Sequence, residues 1–256
     1  MQPHDRIRAA LARDLHAGAR PALIAYVTAG FPERSEFLAV LRAVASASDA
    51  VEIGVPFSDP MADGITIQRS SQHAIDHGVS LTWILDELAR RDFELQAPVL
   101  LMSYLNPLLA FGYNALAARA AEVGVSGFIV PDLPYEESAP LAAALAPHGL
   151  ALVQMVTPAT PPERLARLLA ASQGFVYAVT RAGVTGNFAL PPETAQYLAA
   201  VKAASALPVC AGFGVRRAEQ VALLGRHADG VVVGSALVEV LESRADPAEF
   251  LRSLRP

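Results

Sequence analysis

The chain has 256 residues, of which 53% are hydrophobic and 18% are charged, which is enough apolar material for a sizeable core. Its formal net charge of -5 argues against a protein that binds the phosphate backbone of a nucleic acid. A single cysteine, Cys210, rules out an intrachain disulfide and is typical of the reducing cytoplasm. Residues 1–17 are too charged for a secretory signal and no apolar run could cross a bilayer, so we expect a cytoplasmic protein without a membrane partner.

The first predicted element is an amphipathic helix over residues 5–15, with Ile7, Leu11 and Leu15 on one face. Short apolar segments then alternate with helical ones along the rest of the chain. The predicted strands are residues 22–28, 50–55, 98–102, 127–130, 150–156, 175–180, 209–212 and 230–233. The predicted helices are residues 35–46, 67–77, 81–91, 110–123, 136–146, 161–171, 192–204, 217–225, 236–243 and a tail at 247–254.

This alternation of strands and helices predicts a closed parallel (β/α)8 barrel, the TIM-barrel fold, with an extra N-terminal helix. The strands are near-continuous apolar runs, as expected when both of their faces are covered. The alternative is an open doubly wound sheet, which usually has about six strands. No low-complexity linker divides the chain, so we expect one domain over residues 1–256. In a barrel, functional residues lie on the loops that follow the strands.

One carboxylate lies within a predicted strand. Glu52 stands between Val51 and Ile53 in the second strand, and Asp59 and Asp63 follow in the next loop. If Glu52 faces the barrel interior, burial raises its pKa toward neutrality, where one group can both give and accept a proton. The alternative is a solvent-facing Glu on a half-exposed strand, which the alternation with Val51 and Ile53 also allows.

The last two predicted strands end in glycines. Gly212-Phe213-Gly214 follows the seventh strand, and Gly234-Ser235 follows the eighth and leads into a helix. Barrels often bind a phosphate here, because glycines let backbone N–H groups approach the anion and a helix N-terminus attracts it. The alternative is that these glycines only form tight turns. Residues 181–186, after the sixth strand, are suited to a closing lid or to an ordinary surface loop.

The available residues disfavour two other kinds of chemistry. The one lysine, Lys202, is predicted on an exposed helix face, so an imine-forming mechanism is not expected. His73 and His77 have the spacing of a helical metal-binding pair, but no acidic partner completes a site, so no metal is expected. Met102 and Met155 are interpreted as packing residues. What remains is proton transfer by carboxylates on a phosphorylated substrate that contains its own electron sink.

A series of short motifs runs in order along nearly the whole chain. The longest is Glu-Ile-Gly-Val-Pro-Phe-Ser-Asp-Pro-Met-Ala-Asp-Gly at residues 52–64. The others are residues 28–32, 101–107, 131–134, 181–186, 212–214 and 234–235. Their succession closely resembles the tryptophan synthase alpha chain family. Two residues depart from that pattern: Ile65 stands where we expect proline, and Tyr26 where the family often has phenylalanine.

The resemblance implies a TIM-barrel lyase that cleaves indole-3-glycerol phosphate to indole and glyceraldehyde 3-phosphate, in the last steps of L-tryptophan biosynthesis. It implies that Glu52 is the acid/base that protonates indole C3 and helps to remove the glycerol hydroxyl proton. It also implies that Asp63 hydrogen-bonds the indole N–H and stabilises its developing positive charge. The protonated indole ring would then be the electron sink, in agreement with the interpretation from the residues alone.

The resemblance also implies a set of binding residues. The substrate-binding residues would be Tyr26, Ile67, Tyr104, Tyr177, Gly183, Thr185, Gly186, Phe213, Gly214, Gly234 and Ser235. Among them, Thr185 would be a lid residue that meets the catalytic aspartate on closure. The face toward a partner beta chain would include Pro56, Phe57, Asp59 and Asn106. The implied assembly is an alpha2-beta2 heterotetramer in which the beta chain carries pyridoxal phosphate and this chain carries no cofactor.

Two other functions stay open from the sequence. One is a different phosphate-binding barrel isomerase, which the placement of Glu52 and Asp63 disfavours. The other is a non-catalytic regulatory subunit that binds the phosphate ligand and only activates a partner. An isomerase would release no indole from indole-3-glycerol phosphate, whereas a regulatory subunit would keep its partner activation and overall function unchanged in Glu52→Gln.

Overall fold

The structure is a computed structural model that describes residues 1–12, 20–180, 190–212 and 214–255. Its strands are β1 Ala22–Thr28, β2 Ala50–Gly54, β3 Val99–Met102, β4 Val125–Ile129, β5 Ala151–Val156, β6 Val176–Val179, β7 Val209–Gly212 and β8 Gly230–Val233. They form a closed parallel barrel in chain order, because each strand pairs with the next and β8 pairs with β1. The predicted (β/α)8 barrel is confirmed, and the open doubly wound sheet is excluded.

Helices surround this barrel. Among the described residues they are α1 Pro3–Leu11, α2 Phe37–Ala45, α3 Ile65–Asp76, α4 Leu81–Arg90, α5 Leu105–Phe111, α6 Tyr113–Glu122, α7 Ala139–Leu145, α8 Pro162–Ala171, α9 Pro192–Ala204, α10 Ala218–Leu224, α11 Ser235–Glu242 and α12 Pro247–Ser253. Short 3₁₀ turns lie at Arg34–Glu36, Tyr135–Glu137 and Ala146–His148. None of these described helices has the length and hydropathy needed to span a membrane.

The largest difference from the predicted elements lies between β3 and β4. The helix predicted at residues 110–123 is in fact two helices, α5 and α6, and α5 begins earlier than expected. Gly112 separates them with a φ of 88°, a conformation that favours glycine. Pro107 lies in the first turn of α5, where its missing N–H costs no helical hydrogen bond. Asn106, predicted on a loop, therefore lies on a helix.

The strands bury both of their faces. Residues that face the barrel interior form one apolar cluster: Ala22, Ile24, Ala50, Leu100, Ile129, Ala151, Val153, Phe175, Cys210 and Val232. Ile7 and Leu11 of α1 belong to the same cluster, and His4 N–H donates to Gly149 O just before β5. The N-terminal helix therefore covers the end of the barrel where the strands begin. The predicted third residue of its apolar face, Leu15, lies outside the described residues.

Candidate active site

A cavity of about 460 Å³ opens at the opposite end of the barrel, where the strands end. The predicted site residues that line it are Tyr26, Glu52, Asp63, Ile67, Tyr177, Gly214, Gly234 and Ser235. Residues contributed by β1, β2, β6 and the loops after β7 and β8 therefore meet in one space. Four predicted substrate-binding residues lie outside the described part of the chain: Gly183, Thr185, Gly186 and Phe213.

Glu52 lies at the floor of this cavity. Side chains alternate along a strand, and Ala50 belongs to the interior cluster, so Glu52 also faces inward. It is 0% exposed, and neither carboxyl oxygen has a hydrogen-bond partner among the described residues. Burial, and then the charge of Asp63, raises the pKa of Glu52 from 4.5 to about 8. At neutral pH the side chain is therefore mainly protonated and can donate a proton to a bound molecule.

Asp63 is fixed by contacts within and beyond its loop. Tyr104 Oη donates to Asp63 Oδ2 at 3.1 Å and accepts from Ala62 N–H at 2.9 Å. Gln68 Nε2 of α3 donates to the backbone oxygen of Asp63 at 2.8 Å. Burial raises the pKa of Asp63, and the hydrogen bond from Tyr104 opposes that shift. Tyr104 is thus placed to orient Asp63, whereas the cavity wall itself is formed by other residues.

Two tyrosines contribute hydroxyl groups to the cavity. Burial raises the pKa of both Tyr26 and Tyr177, so both phenols are neutral hydrogen-bond donors near pH 7. The Tyr26 hydroxyl lies so close to the backbone of Gly54 that a Cβ at that position would collide with it. Thr28, two residues further along β1, has its Oγ1 2.6 Å from Ser70 Oγ of α3. This buried pair of hydroxyl groups joins the end of β1 to α3.

The other side of the cavity is formed by backbone. Gly214, in the loop after β7, has a φ of 64°. Gly234 is the N-cap of α11 and Ser235 is its first residue, so the positive end of this helix faces the cavity. The cavity wall formed by described residues contains no Lys or Arg. An anion at this end would be held by backbone N–H groups and a hydroxyl, as in other helix-terminal phosphate sites.

Two methionines that the sequence predicts only as packing residues also line the cavity. Met102 and Met155 pack against the interior cluster, as expected, and they form part of the cavity wall as well. Ala151, Val153 and Met155 occupy alternate positions of β5 and all face inward. This period-2 pattern, which reaches the end of the strand, is the sequence signal that places Met155 at the cavity. Their flexible apolar side chains are suited to contact with a flat aromatic ring.

The four predicted interface residues differ in exposure. Phe57 stacks on Tyr104 with ring centroids 5.0 Å apart. Asp59 and Asn106 are exposed, whereas Pro56 is buried. Phe57 therefore connects the outer surface of the loop after β2 to the tyrosine that orients the aspartate of the cavity.

The lysine and the histidine pair lie outside the cavity. Lys202 Nζ pairs with Asp229 Oδ1 at 2.9 Å, and Asp229 immediately precedes β8 at the far end of the barrel. His73 Nε2 lies 3.0 Å from Pro32 O, and its ring stacks on that of His77 at 4.2 Å. The described residues contain no group of three or more His, Cys, Asp or Glu side chains that could hold a metal ion. Carboxyl and phenol groups are therefore the titratable side chains that line the described cavity.

The fold and cavity define a (β/α)8 barrel with a buried carboxyl group at the floor of its cavity and with glycine turns and a helix N-terminus at the ends of β7 and β8. A family model described as tryptophan synthase alpha chain matches residues 12–253. The chain belongs to the tryptophan synthase alpha chain family.

Relatives and solved structures agree with this assignment. The alpha chain of Nitratidesulfovibrio vulgaris (strain DP4) is 42% identical over 243 residues, which is 94% of this chain and 95% of the relative. That of Desulfovibrio desulfuricans is 44% identical over 251 residues, 96% of each chain. Tryptophan synthase subunit alpha from Legionella pneumophila superposes with a TM-score of 0.85 at 32% identity, covering 99% of this chain and 97% of that one. A chain of M. tuberculosis tryptophan synthase, in its aminoacrylate-bound form, gives 0.85 at 34% identity and full coverage of both.

Family membership identifies the reaction. The chain is a carbon–carbon lyase of tryptophan biosynthesis that cleaves indole-3-glycerol phosphate to indole and glyceraldehyde 3-phosphate. Alpha chains of this family do not themselves carry pyridoxal phosphate, and membership implies a beta chain as partner. The lyase is thereby favoured over the other barrel isomerase and over the non-catalytic regulatory subunit.

Proposed function

We propose that Glu52 and Asp63 perform this cleavage within the barrel cavity. The observation that carries the proposal is a fully buried carboxyl group, lining the cavity, whose oxygens have no partner among the described residues. A group of this kind keeps its proton at neutral pH and can direct it at a ligand. Asp63 lines the same cavity and supplies the second carboxyl group.

The first step is protonation of the indole ring. Glu52 donates its proton to ring carbon C3, and the ring becomes positively charged. Asp63 accepts a hydrogen bond from the ring N–H and stabilises that charge, as preorganised groups do at developing charges. The hydrogen bond from Tyr104 to Asp63 Oδ2 restricts the aspartate to one orientation. The mechanism needs no imine and no metal, because the protonated ring itself accepts the electrons of the bond that breaks.

The second step breaks the carbon–carbon bond. The hydroxyl group on the adjacent glycerol carbon loses its proton and becomes the aldehyde oxygen of glyceraldehyde 3-phosphate. The electron pair of the broken bond returns to the ring, which restores neutral aromatic indole. Glu52, now a carboxylate, is the base available to accept the hydroxyl proton, so it ends the cycle protonated. A pKa of about 8 suits both halves of this exchange.

The remaining cavity residues would bind the substrate. We propose that the phosphate lies against Gly214, Gly234 and the Ser235 hydroxyl, and that the indole ring lies among Tyr26, Ile67, Met102, Met155 and Tyr177. The support is that all of these residues line the same cavity. Roles for Gly183, Gly186 and Phe213 at the phosphate, and for Thr185 as a lid residue, rest on the family resemblance. Residues 1–256 would act as one catalytic domain.

We also propose that the rim around the loop after β2 binds a beta chain in an alpha2-beta2 heterotetramer. Pro56, Phe57, Asp59 and Asn106 would contribute to this face. The support is exposed apolar surface beside them: Met61 is 94% exposed and Leu109 is 52% exposed. Pyridoxal phosphate would be held by the beta chain, which would take up the indole. The biosynthetic family and the single cysteine support a cytoplasmic location.

The test is to incubate the chain with indole-3-glycerol phosphate, alone and with its beta chain, and to follow indole and glyceraldehyde 3-phosphate. We expect equal amounts of both products, and Glu52→Gln should lose roughly 10²–10⁴ of the rate while it still binds substrate. Asp63→Asn should also be severely impaired. Glu122→Gln, an exposed substitution of the same kind on α6, is the matched control and should leave the rate unchanged. Absence of indole even with the beta chain would rule out the lyase mechanism.

A further inference from the structure

The carboxylate of Glu239, which lies outside the cavity, joins α11 to the loop after β7 and to α3. Glu239 lies on α11, which begins at Ser235. Its Oε2 lies 2.5 Å from Arg216 Nη1, and its Oε1 lies 2.8 Å from Arg216 Nη2, so the two side chains form a two-pronged ion pair. Thr66 Oγ1 donates to the same Oε1 at 3.3 Å. Glu239 therefore contacts the loop after β7 and the first turn of α3 at once.

Each of the three residues in this network lies close in sequence to a residue that lines the cavity. Arg216 lies shortly after Gly214, Thr66 lies shortly after Asp63, and Glu239 lies about one turn beyond the start of α11. Arg216 is held at its backbone as well, because its N–H donates to Gln220 Oε1 at 2.7 Å. The network thus runs from the glycine turn that faces the anion end of the cavity to the helix that follows the aspartate.

The network is better suited to fixing geometry than to adding stability. The side chains of Glu239 and Arg216 are 36% and 54% exposed, and exposed ion pairs contribute little to folding. A bidentate pair nevertheless restricts both side chains to one arrangement, and small displacements of reacting groups are costly to catalysis. The hydrogen bond from Arg216 lowers the pKa of Glu239, so the carboxylate is ionised at neutral pH.

We propose that Glu239 is a positioning residue that holds the phosphate-binding end of the cavity in register with the Asp63 loop. The proposal rests on the proposed function, because it assumes a phosphate at Gly214 and Ser235 and a ring N–H at Asp63. Its action is through Arg216 on one side and through Thr66 on the other. Removal of the whole Glu239 side chain should therefore alter substrate binding and turnover together. Loss of the contact with Arg216 alone should alter binding, and loss of the contact with Thr66 alone should alter turnover.

The experiment measures kcat and KM for indole-3-glycerol phosphate, with the beta chain present, and the Ki of inorganic phosphate as a competitive inhibitor. Glu239→Gln removes the charge that holds Arg216, and we expect KM and the phosphate Ki to rise roughly two- to fivefold. Thr66→Val removes the arm toward α3, and we expect kcat to fall by a similar factor with an unchanged phosphate Ki. Glu239→Ala should show both effects.

The matched control is another ion pair between the same two helices, α3 and α11. Arg69 Nη2 of α3 pairs with Glu242 Oε2 of α11 at 2.5 Å, farther from the cavity along both helices. Glu242→Gln should leave kcat, KM and the phosphate Ki unchanged. If Glu242→Gln and Glu239→Gln have equal effects, the network only joins two helices and the proposal is wrong.

A double-mutant cycle separates the remaining outcomes. In the Glu239→Ala background, Arg216→Ala should have little further effect on the phosphate Ki, because the two residues act as one unit. An equal effect in both backgrounds would show that Arg216 binds the phosphate directly, and would overturn the positioning role. If the Glu239 variants match the wild-type chain while Glu52→Gln is inactive, the inference fails and the proposed function stands. A wild-type chain that releases no indole would instead contradict the proposed function.

Discussion

The burial of Glu52 should make the stability of this protein depend on pH in an unusual direction. Its pKa is about 8 in the folded chain against an ordinary value of 4.5. Between these values the folded chain keeps a proton that the unfolded chain has lost, so the stability contributed by the group is fully present below about pH 4.5 and is lost as pH rises through about 8. Glu52→Gln keeps the size of the side chain and removes this titration.

The size of the effect follows from the two pKa values. A difference between 4.5 and about 8 corresponds to roughly 5 kcal/mol in the free energy of unfolding. That is a large fraction of the total stability of a typical domain, which is about 5–15 kcal/mol. Near pH 5 the protonated Glu52 and a Gln are both neutral and differ little. Above about pH 8 the Gln variant should be the more stable protein by up to this amount.

The assay is urea-induced unfolding of both proteins at several pH values between about 5 and 9. The midpoint for Glu52→Gln should move above that of the wild-type chain progressively as pH rises. Glu122→Gln changes an exposed side chain in the same chemical way and removes only a surface ion pair with Arg119, so its curve should run parallel to that of the wild-type chain at every pH. If the stabilities of Glu52→Gln and the wild-type chain differ by the same amount at every pH, Glu52 is not a neutral buried acid and the reasoning is refuted.

Three further substitutions test the surroundings of the two carboxyl groups. Tyr104→Phe removes the hydrogen-bond donor that lowers the pKa of Asp63, so kcat/KM should fall roughly tenfold. The acidic limb of the plot of kcat/KM against pH should move to higher pH, and an unmoved limb would contradict this. Gly54→Ala places a Cβ against the Tyr26 ring and should cost about 1–3 kcal/mol in urea unfolding, part of which Tyr26→Phe should restore. A Cβ on Gly214 would meet no atom of the described residues within 4 Å, so Gly214→Ala should cost only the strain of its left-handed backbone, about 1–2 kcal/mol in urea unfolding, and a larger loss would contradict this.

The strands and the buried acid could be predicted because the relevant patterns are local. Short apolar runs separated by helical segments define the barrel, and β1, β7 and β8 have the predicted bounds. Once the strands form a closed barrel, alternation places Glu52 on the same face as Ala50. The prediction that the glycines at the ends of β7 and β8 bind a phosphate rests on a general rule for barrels, and the structure shows that Gly214 and Gly234 line the cavity.

Other features depend on contacts between residues distant in sequence, which no local pattern shows. The hydrogen bond from Tyr104 to Asp63 joins the loops after β3 and β2. The network at Glu239 joins residues from α3, the loop after β7 and α11. The prediction of one helix at 110–123 is wrong for a different reason: Gly112 adopts a φ of 88° and separates two helices, a backbone break that the apolar pattern alone does not show. Leu15 and residues 181–189 lie outside the described residues.

The pH dependence of kcat/KM for indole release tests the role of Glu52 most directly, since this quantity reports the ionisation of the free enzyme. The reactive form carries a protonated Glu52, so kcat/KM should fall tenfold per pH unit above about pH 8. The residual rate of Glu52→Gln should lack this limb. A wild-type profile that stays level from about pH 7 to 9.5 would contradict the assignment of Glu52 as the proton donor.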